Sequence, residues 1–362
     1  MVVGSGTVAS LPPPPPGREG WPWTDSEEVP AIPDRTGGWP RITIVTPSYN
    51  QSPYLEETIR SVLLQGYPEL EYIVIDGGST DSSVDILRRY EGWLTHWVSE
   101  RDNGQSEAIN KGFARASGKI HGYLNSDDAY RPNALVRVAA AFLHDPNALQ
   151  AFPVVDLEHR GSSRIRSVPL RRRSPVAPVT CTDRPDPPAE GEVWEGSLVP
   201  LMVGELYLHQ PGVFWPAVAY FDHGGFDERY SFMFDQKFFL ELALAGLPLI
   251  CHGGAPVASF RHHAQSKTIM SRQQGMNPFS LELWRIAREL EPRLKRSERD
   301  LVRQKRVQRT LGRVWRELRS GSGRRGALRV LARGLADHPD LVTDRFFWAT
   351  LLAVGRTGRI ER

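Results

Sequence analysis

An open α/β sheet, mostly parallel and flanked by helices, is the fold this chain predicts. Three observations carry that expectation. Apolar runs of strand length alternate with segments of helical period from Arg41 to the run that opens near Arg131-Pro132. Four of those strand-like runs end in polar, mostly acidic residues, and ligands of open α/β sheets bind at the carboxyl ends of strands. The fourth ends in Asp127-Asp128, two adjacent carboxylates that repel each other unless something cationic sits there.

The elements follow in order. A first strand from Arg41 ends at Thr46-Pro47-Ser48-Tyr49-Asn50, and the helix after it places Leu55, Ile59, Val62 and Leu63 on one face. A second strand, Glu71 to Ile75, ends at Asp76-Gly77-Gly78-Ser79-Thr80-Asp81. Its glycine pair allows a tight turn, and Ser79 to Ser82 offers capping hydroxyls to the next helix. A third, Leu94 to Ser99, ends at Glu100-Arg101-Asp102-Asn103-Gly104-Gln105. The fourth, Lys119 to Tyr123, ends at Leu124-Asn125-Ser126-Asp127-Asp128. A hard divalent cation suits that acidic pair, because it takes oxygen ligands and accepts diphosphate in the same shell. The other reading is a pair of acids that cap a helix and complement its dipole.

These strings, with Ala108-Ile109-Asn110-Lys111-Gly112, resemble family 2 glycosyltransferases, densely from Arg41 to Asn133 and in pieces to about Thr268. The resemblance implies the Rossmann-like GT-A fold and a nucleotide-sugar donor. Pro47 and Tyr49 would line the base and ribose pocket, with Asn50 and Gln105 beside them. Asp76 would accept from a base N–H, Asp102 would sit in the same nucleotide cleft, and Lys111 would face the diphosphate or stay a solvated helix lysine. Asn125-Ser126-Asp127 fills the family's Asp-x-Asp position, with Asn at the first place. Its amide oxygen would reach a sugar hydroxyl, or the metal through water. Asp127 and Asp128 would then hold the Mn2+ or Mg2+.

The second half supplies the rest. His209-Gln210-Pro211-Gly212 resembles the acceptor-side segment, so Gln210 and Pro211 are expected there. In Phe234-Asp235-Gln236, Asp235 keeps the second place of the family's acidic pair and would be the general base. It also stands where a helix cap belongs, and the two roles are compatible. Asp227 is the fallback base. Arg261-His262-His263 resembles the family's Arg-x-His segment. This puts His263 near metal and diphosphate, with His262 pointing elsewhere because side chains alternate along an extended segment.

Composition sets the outer bounds. The chain has 362 residues, 40% hydrophobic and 24% charged, with a formal net charge of only +3, so bulk electrostatics do not call for nucleic acid. Two cysteines, Cys181 and Cys251, make no disulfide framework and fit a reducing compartment. No apolar run approaches the ~20 residues that span a bilayer, and Met1 to Pro16 lacks the pattern of a secretory signal. A cytoplasmic location, or a peripheral one at the inner membrane face, is therefore expected. Residues 1–37 read as a disordered proline-rich arm and 38–279 as the catalytic domain. Residues 156–200 read as an insertion containing Arg171-Arg172-Arg173, and 280–362 as a basic helical extension. That extension is expected to pack on protein, with contact to an anionic membrane as the alternative.

The expected activity is metal-dependent, inverting transfer of a hexosyl or related sugar. The donor would be a nucleoside-diphosphate sugar, with a lean to UDP, and the acceptor a hydroxyl of a glycan or glycolipid, as in polysaccharide biosynthesis. Two other classes compete. A nucleotidyltransferase would need a basic, glycine-rich phosphate loop after the first strand, and Thr46 to Gln51 is neither. A non-catalytic nucleotide-sugar-binding scaffold stays open because Asn125 and Phe234 replace acids.

Overall fold

The computed structural model describes residues 10–25, 38–157, 163–166, 192–193, 198–267, 269–270 and 278–319, with scattered positions between 328 and 352. It divides into two compact units. One comprises residues 1–196 and 207–277, the other residues 197–206 and 278–362.

The first unit is built on an eight-stranded sheet. Strands β1 (Ile42–Ser48), β2 (Leu70–Asp76), β3 (His96–Ser99) and β4 (Ile120–Tyr123) run parallel. β1, β2 and β4 are buried along their whole length, as parallel strands covered on both faces must be. The sheet continues through β6 (Leu149–Ala151), β9 (Glu192–Val193), β10 (Val213–Pro216) and β11 (Leu249–Cys251), in the order β3-β2-β1-β4-β10-β6-β11-β9. β10 runs against both its neighbours and β9 against β11, so the sheet is mixed but mostly parallel, as expected.

Register positions the site. Ser48 pairs with Asp76 and Asp76 with Ser99, while Val45 pairs with Tyr123. The first four strands therefore deliver their following loops to one edge. β2 lies on one side of β1 and β4 on the other, which is the topological switch point where open sheets bind ligands.

Helices α1 (Ser52–Leu63), α2 (Ser83–Tyr90), α3 (Gln105–Phe113), α4 (Ala134–His144), α6 (Ala217–Asp222) and α7 (Phe234–Leu244) accompany the sheet. The expected face of α1 is its buried one: Leu55, Ile59 and Val62 are fully covered, each worth about 1.5–3 kcal/mol. A second sheet, in the order β5-β12-β7-β8, joins β5 (Ala129–Tyr130), β12 (Ala258–Arg261), β7 (Val154–Leu157) and β8 (Ser163–Arg166). β5 pairs antiparallel with β12, Ser259 opposite Ala129. The strand after the acidic pair is thus bonded to the strand before His262-His263.

The disordered arm is corrected over residues 10–25. The guanidinium of Arg60, only 3% exposed on α1, donates to three of its carbonyls: Pro12 at 2.7 Å, Pro22 at 3.0 Å and Trp23 at 2.8 Å. The Trp21 indole N–H donates to the Tyr130 carbonyl at 2.8 Å, and Trp23 is buried. Proline-rich composition concealed this, because a proline lacks an N–H but keeps a carbonyl that can satisfy a buried arginine. Residues 1–9 and 26–37, most of the 156–200 insertion and its Arg171-Arg172-Arg173 run lie outside the described residues.

The second unit contains α5 (Val199–Met202), α8 (Pro278–Leu290) and α9 (Arg296–Arg319). Its boundary corrects the expected domain division, since residues 197–206 belong with the C-terminal helices. Val307, Leu311 and Phe347 form its apolar cluster, and Arg306 pairs with Glu291 at 2.7 Å. Among the described residues no helix is long and apolar enough to cross a membrane.

Candidate active site

The loops after β1, β2 and β3 are built around Asp76, which is fully buried. Its Oδ2 accepts the Ser79 N–H at 2.8 Å, the Gly78 N–H at 3.2 Å and the Ser99 hydroxyl at 2.7 Å, while Oδ1 accepts the Ser79 hydroxyl. A carboxylate offers about four acceptor positions, so Asp76 shapes its own loop and keeps little capacity for a ligand N–H. Asn50 joins this loop to the one before it. It adopts φ +52°, accepts the Thr80 N–H on Oδ1 at 2.8 Å and donates its own N–H to Ser79 Oγ at 2.8 Å. Tyr49 is 59% exposed and Pro47 is buried in β1. A side chain at Gly77 would put its Cβ 2.6 Å from Asp102 Oδ2, so the glycine admits Asp102 to the end of β2. Burial holds the Asp102 carboxyl above its usual range.

Lys111 is corrected as a diphosphate contact. Its ammonium lies 3.1 Å from Glu100 and 3.1 Å from Glu107, so its charge is matched within the chain.

The acidic turn separates two neighbouring carboxylates by environment. Asp128 is 1% exposed; its Oδ1 accepts the Arg261 N–H at 2.9 Å and its Oδ2 the Asn125 amide at 3.3 Å. Burial, and then the charge of Asp127, push its carboxyl well above the ordinary range. Asp128 as a metal ligand is therefore corrected: its oxygens close the turn against β12. Ser126 is buried beside it. Asp127 faces the other way, its Oδ2 at 2.9 Å from His263 Nε2. His263 is 5% exposed and its ring packs on Tyr54 at 4.4 Å. His262 turns away to Asp156 at 3.4 Å, the alternation expected of an extended segment.

Asp127 and His263 fit a divalent cation. Their donor atoms stand at about the separation of two adjacent ligands on a six-coordinate ion with bonds of ~2.1 Å. Among the described residues no group of three or more His, Cys, Asp or Glu side chains converges to hold a metal by itself. Two protein ligands are enough for a hard cation that completes its shell with water and substrate phosphate.

Asp235 opens α7 and is half-buried, with Oδ1 accepting the Gln236 N–H at 2.7 Å. Burial raises its carboxyl to about 6, against hydrogen bonds from Gln236 and the nearby charge of Lys267. A carboxylate that titrates there suits proton abstraction near neutral pH. The fallback, Asp227, is corrected. It is clamped by Arg229 at 2.6 Å and Lys237 at 3.2 Å, and the Arg229 hydrogen bonds hold its carboxyl far below the usual range. Gln210 and Pro211 are corrected as acceptor contacts. Both are buried, and Gln210 spends its amide on Asn125 at 3.2 Å and on the Tyr123 carbonyl.

Two residues, Tyr54 and Glu57, escaped the sequence reading, and the partners of Arg261 could not be read from it. Arg261 reaches the Asp127 carbonyl through Nε at 3.1 Å and pairs with Glu57 through Nη2, its guanidinium 5.2 Å from the Tyr54 ring. Together Arg261, Glu57 and Tyr54 brace the side of the site that holds His263. Glu57 and Arg261 are 204 residues apart in sequence, and no local pattern links them.

Residues 43–186 match the family model described as Glycosyl transferase family 2. An uncharacterized glycosyltransferase of Mycobacterium tuberculosis is 29% identical over 211 residues, 58% of this chain and 71% of the relative. The putative teichuronic acid biosynthesis glycosyltransferase TuaG of Bacillus subtilis is 40% identical over 99 residues, 26% of this chain and 39% of TuaG. An uncharacterized glycosyltransferase of Nostoc is 32% identical over 105 residues, and the match spans only 33% of its length. Staphylococcus aureus TarS 1-349, solved with UDP-GlcNAc, superposes with a TM-score of 0.59 at 14% identity, covering 89% of this chain and 93% of that one. The mannosyltransferase PcManGT of Pyrobaculum calidifontis, solved with GDP-Man and Mn2+, superposes with a TM-score of 0.52 at 18% identity, covering 90% and 82%. The fold is the GT-A arrangement.

Proposed function

We propose, for a chain that belongs to glycosyl transferase family 2, a metal-dependent inverting transfer of a sugar from a nucleoside-diphosphate donor to an acceptor hydroxyl. The observation that carries this reading is the pairing of Asp127 with His263 at 2.9 Å, and the half-buried Asp235 with its raised carboxyl supports it. Asp127 and His263 would hold the cation, which when bound supplies Lewis-acid stabilisation to the departing diphosphate. Asp235 would accept the proton of the acceptor hydroxyl as that oxygen attacks the anomeric carbon, and attack opposite the leaving group inverts configuration. Asp76, Asn50 and Asp102 would keep the nucleotide loops in shape, and Tyr49 would offer its exposed ring to the base.

UDP-GlcNAc and GDP-Man in the two superposed structures support a nucleotide-sugar donor without fixing the base. A glycan or glycolipid acceptor is supported by the named role of TuaG in teichuronic acid biosynthesis. Peripheral contact of the C-terminal helices with an anionic membrane is supported by charge. Residues 278–362 carry 21 Lys and Arg against 10 Asp and Glu, a net charge of +11.

The test is a screen of UDP-, GDP- and dTDP-sugars for released nucleoside diphosphate, with Mn2+, Mg2+ and EDTA arms. Asp127→Asn should lower metal-dependent turnover by on the order of 10²–10³-fold while the protein stays folded. Turnover untouched by both EDTA and Asp127→Asn would remove the metal site from the reading.

A further inference from the structure

Three side-chain amides form a continuous hydrogen-bonded run through the site. The Lys267 ammonium donates to Gln105 Oε1 at 2.9 Å, and Gln105 Nε2 donates to Asn125 Oδ1. Asn125 Nδ2 donates to Gln210 Oε1 at 3.2 Å and to Asp128 Oδ2 at 3.3 Å, and Gln210 Nε2 donates to the Tyr123 carbonyl. A single amide can be turned end for end without changing its shape. This run cannot, because it begins at an ammonium, which only donates, and ends at a backbone carbonyl, which only accepts. The two ends dictate the orientation of all three amides.

We infer that Asn125 is a positioning residue whose N–H2 group is required by Gln210 and Asp128, so that an amide and not an acid must open this turn. The inference rests on the reading of Asp127 and His263 as the cation pair, and it changes what Asn125 does there. Both hydrogens of its amide are engaged inside the protein and its oxygen already accepts from Gln105, so the amide is committed first to its protein partners. A carboxylate at 125 would turn acceptor oxygens toward Gln210 Oε1, itself an acceptor, and would add a second acid against the buried Asp128. Asp128 in turn holds the Arg261 N–H, the contact that continues the β5–β12 register and brings His263 to Asp127. The missing acid is thus the condition for a buried Asp128. The aim of Asp127 depends on an amide three residues before that aspartate.

The experiment compares Asn125→Asp, Gln105→Glu and the exchange Asn125→Asp/Asp128→Asn in the full chain. The readouts are kcat and KM for the nucleoside-diphosphate sugar that the donor screen selects, affinity for Mn2+ alone by electron paramagnetic resonance, and the melting curve. Asn125→Asp, which restores the family's acid, should lower kcat by roughly tenfold or more and should not tighten Mn2+ binding. The exchange should recover the part of that loss owed to the contact with Asp128 and leave the part owed to Gln210. The amide at 128 donates to the new carboxylate, and its oxygen still accepts from Arg261. Gln105→Glu is half-exposed and acts from the Lys267 end; it reverses the polarity of the run and should give a smaller loss of the same kind. If Asn125→Asp does not melt cooperatively, the exchange and Gln105→Glu decide. An Asn125→Asp variant that binds Mn2+ more tightly and keeps kcat overturns the inference, as does an exchange no better than the single variant or a Gln105→Glu without effect. Asp127→Asn separates this from failure of the underlying reading. If Asp127→Asn spares Mn2+ binding and turnover, the cation pair is wrong. If it abolishes both while Asn125→Asp improves them, only the role given to Asn125 is wrong.

Discussion

Residues 1–277 carry 24 Lys and Arg against 32 Asp and Glu, a net charge of −8, whereas residues 278–362 carry +11. The two regions also bury charge differently. In the catalytic unit Asp76, Asp128 and Arg60 are nearly inaccessible, and each is answered by several named donors or acceptors. The C-terminal unit buries Val302, Val307, Leu311 and Phe347, with the Arg306–Glu291 pair as its buried ionic contact among the described residues. The difference teaches where each unit is vulnerable. Removing one buried charge in the first leaves polar partners without a mate, while the second loses stability through cavities.

The largest expected effect that would break this comparison is catalytic. Asp235→Asn should lower kcat by about 10²–10⁴-fold and leave Mn2+ affinity unchanged. A loss of Mn2+ binding would move Asp235 from base to ligand. The pH profile sharpens the point. With a carboxyl raised to about 6 by burial, turnover in the wild type should rise as pH passes upward through that value. Stability runs the opposite way. The folded carboxyl titrates above the ordinary aspartate range, so its favourable contribution is full below about 4 and is lost as pH rises through about 6. Asp235→Asn should therefore melt higher than wild type at pH 7, with the gap closing toward pH 4. A gap that is the same at both pH values would deny the burial of this carboxyl.

Next come the two structural arms. Phe347→Ala should cost the C-terminal unit about 3–5 kcal/mol, since that ring is fully buried against Val307 and Leu311. The check is whether the melting curve splits into two transitions with only one displaced. Deletion of residues 1–25 should cost the catalytic unit about 2–3 kcal/mol, because Arg60 loses three carbonyl acceptors and the buried Trp23 ring is removed. A deletion variant that melts with wild type would return this segment to the status of a dispensable arm.

The smallest effect concerns membrane contact. Sedimentation with anionic vesicles should weaken on raising salt from about 0.1 to 1 M, as the Debye length falls from about 10 to 3 Å. Trp348→Ser should weaken it further, since that ring is 41% exposed. Binding to neutral vesicles at the same level would sever the link between the basic unit and membrane charge.

The sheet was legible because parallel strands covered on both faces are continuous apolar runs, and because four of them end in polar loops. Asp76, Asp102 and Asp127 could be located at strand ends for the same reason. Sequence spacing could not say which way a side chain points when its partner is far along the chain. Asp127 and Asp128 are indistinguishable in sequence. Pairing of β5 with β12 sends one to Arg261 and leaves the other to His263, across 136 residues. Lys111 and Asp227 looked like free functional groups until Glu100, Glu107, Arg229 and Lys237 closed on them.

What the sequence by itself determined is the succession of strands and helices and the polar loops at the strand ends, which follow from local periodicity and from residues adjacent in the chain; the reaction it suggests follows from the family those loops resemble. Tertiary structure alone decided which polar groups are spent inside the protein. A hydrogen bond needs its partner within about 3 Å, and for Arg60, Asn125, Asp128 and Gln210 that partner lies tens of residues away or is a backbone carbonyl that no side-chain pattern reveals.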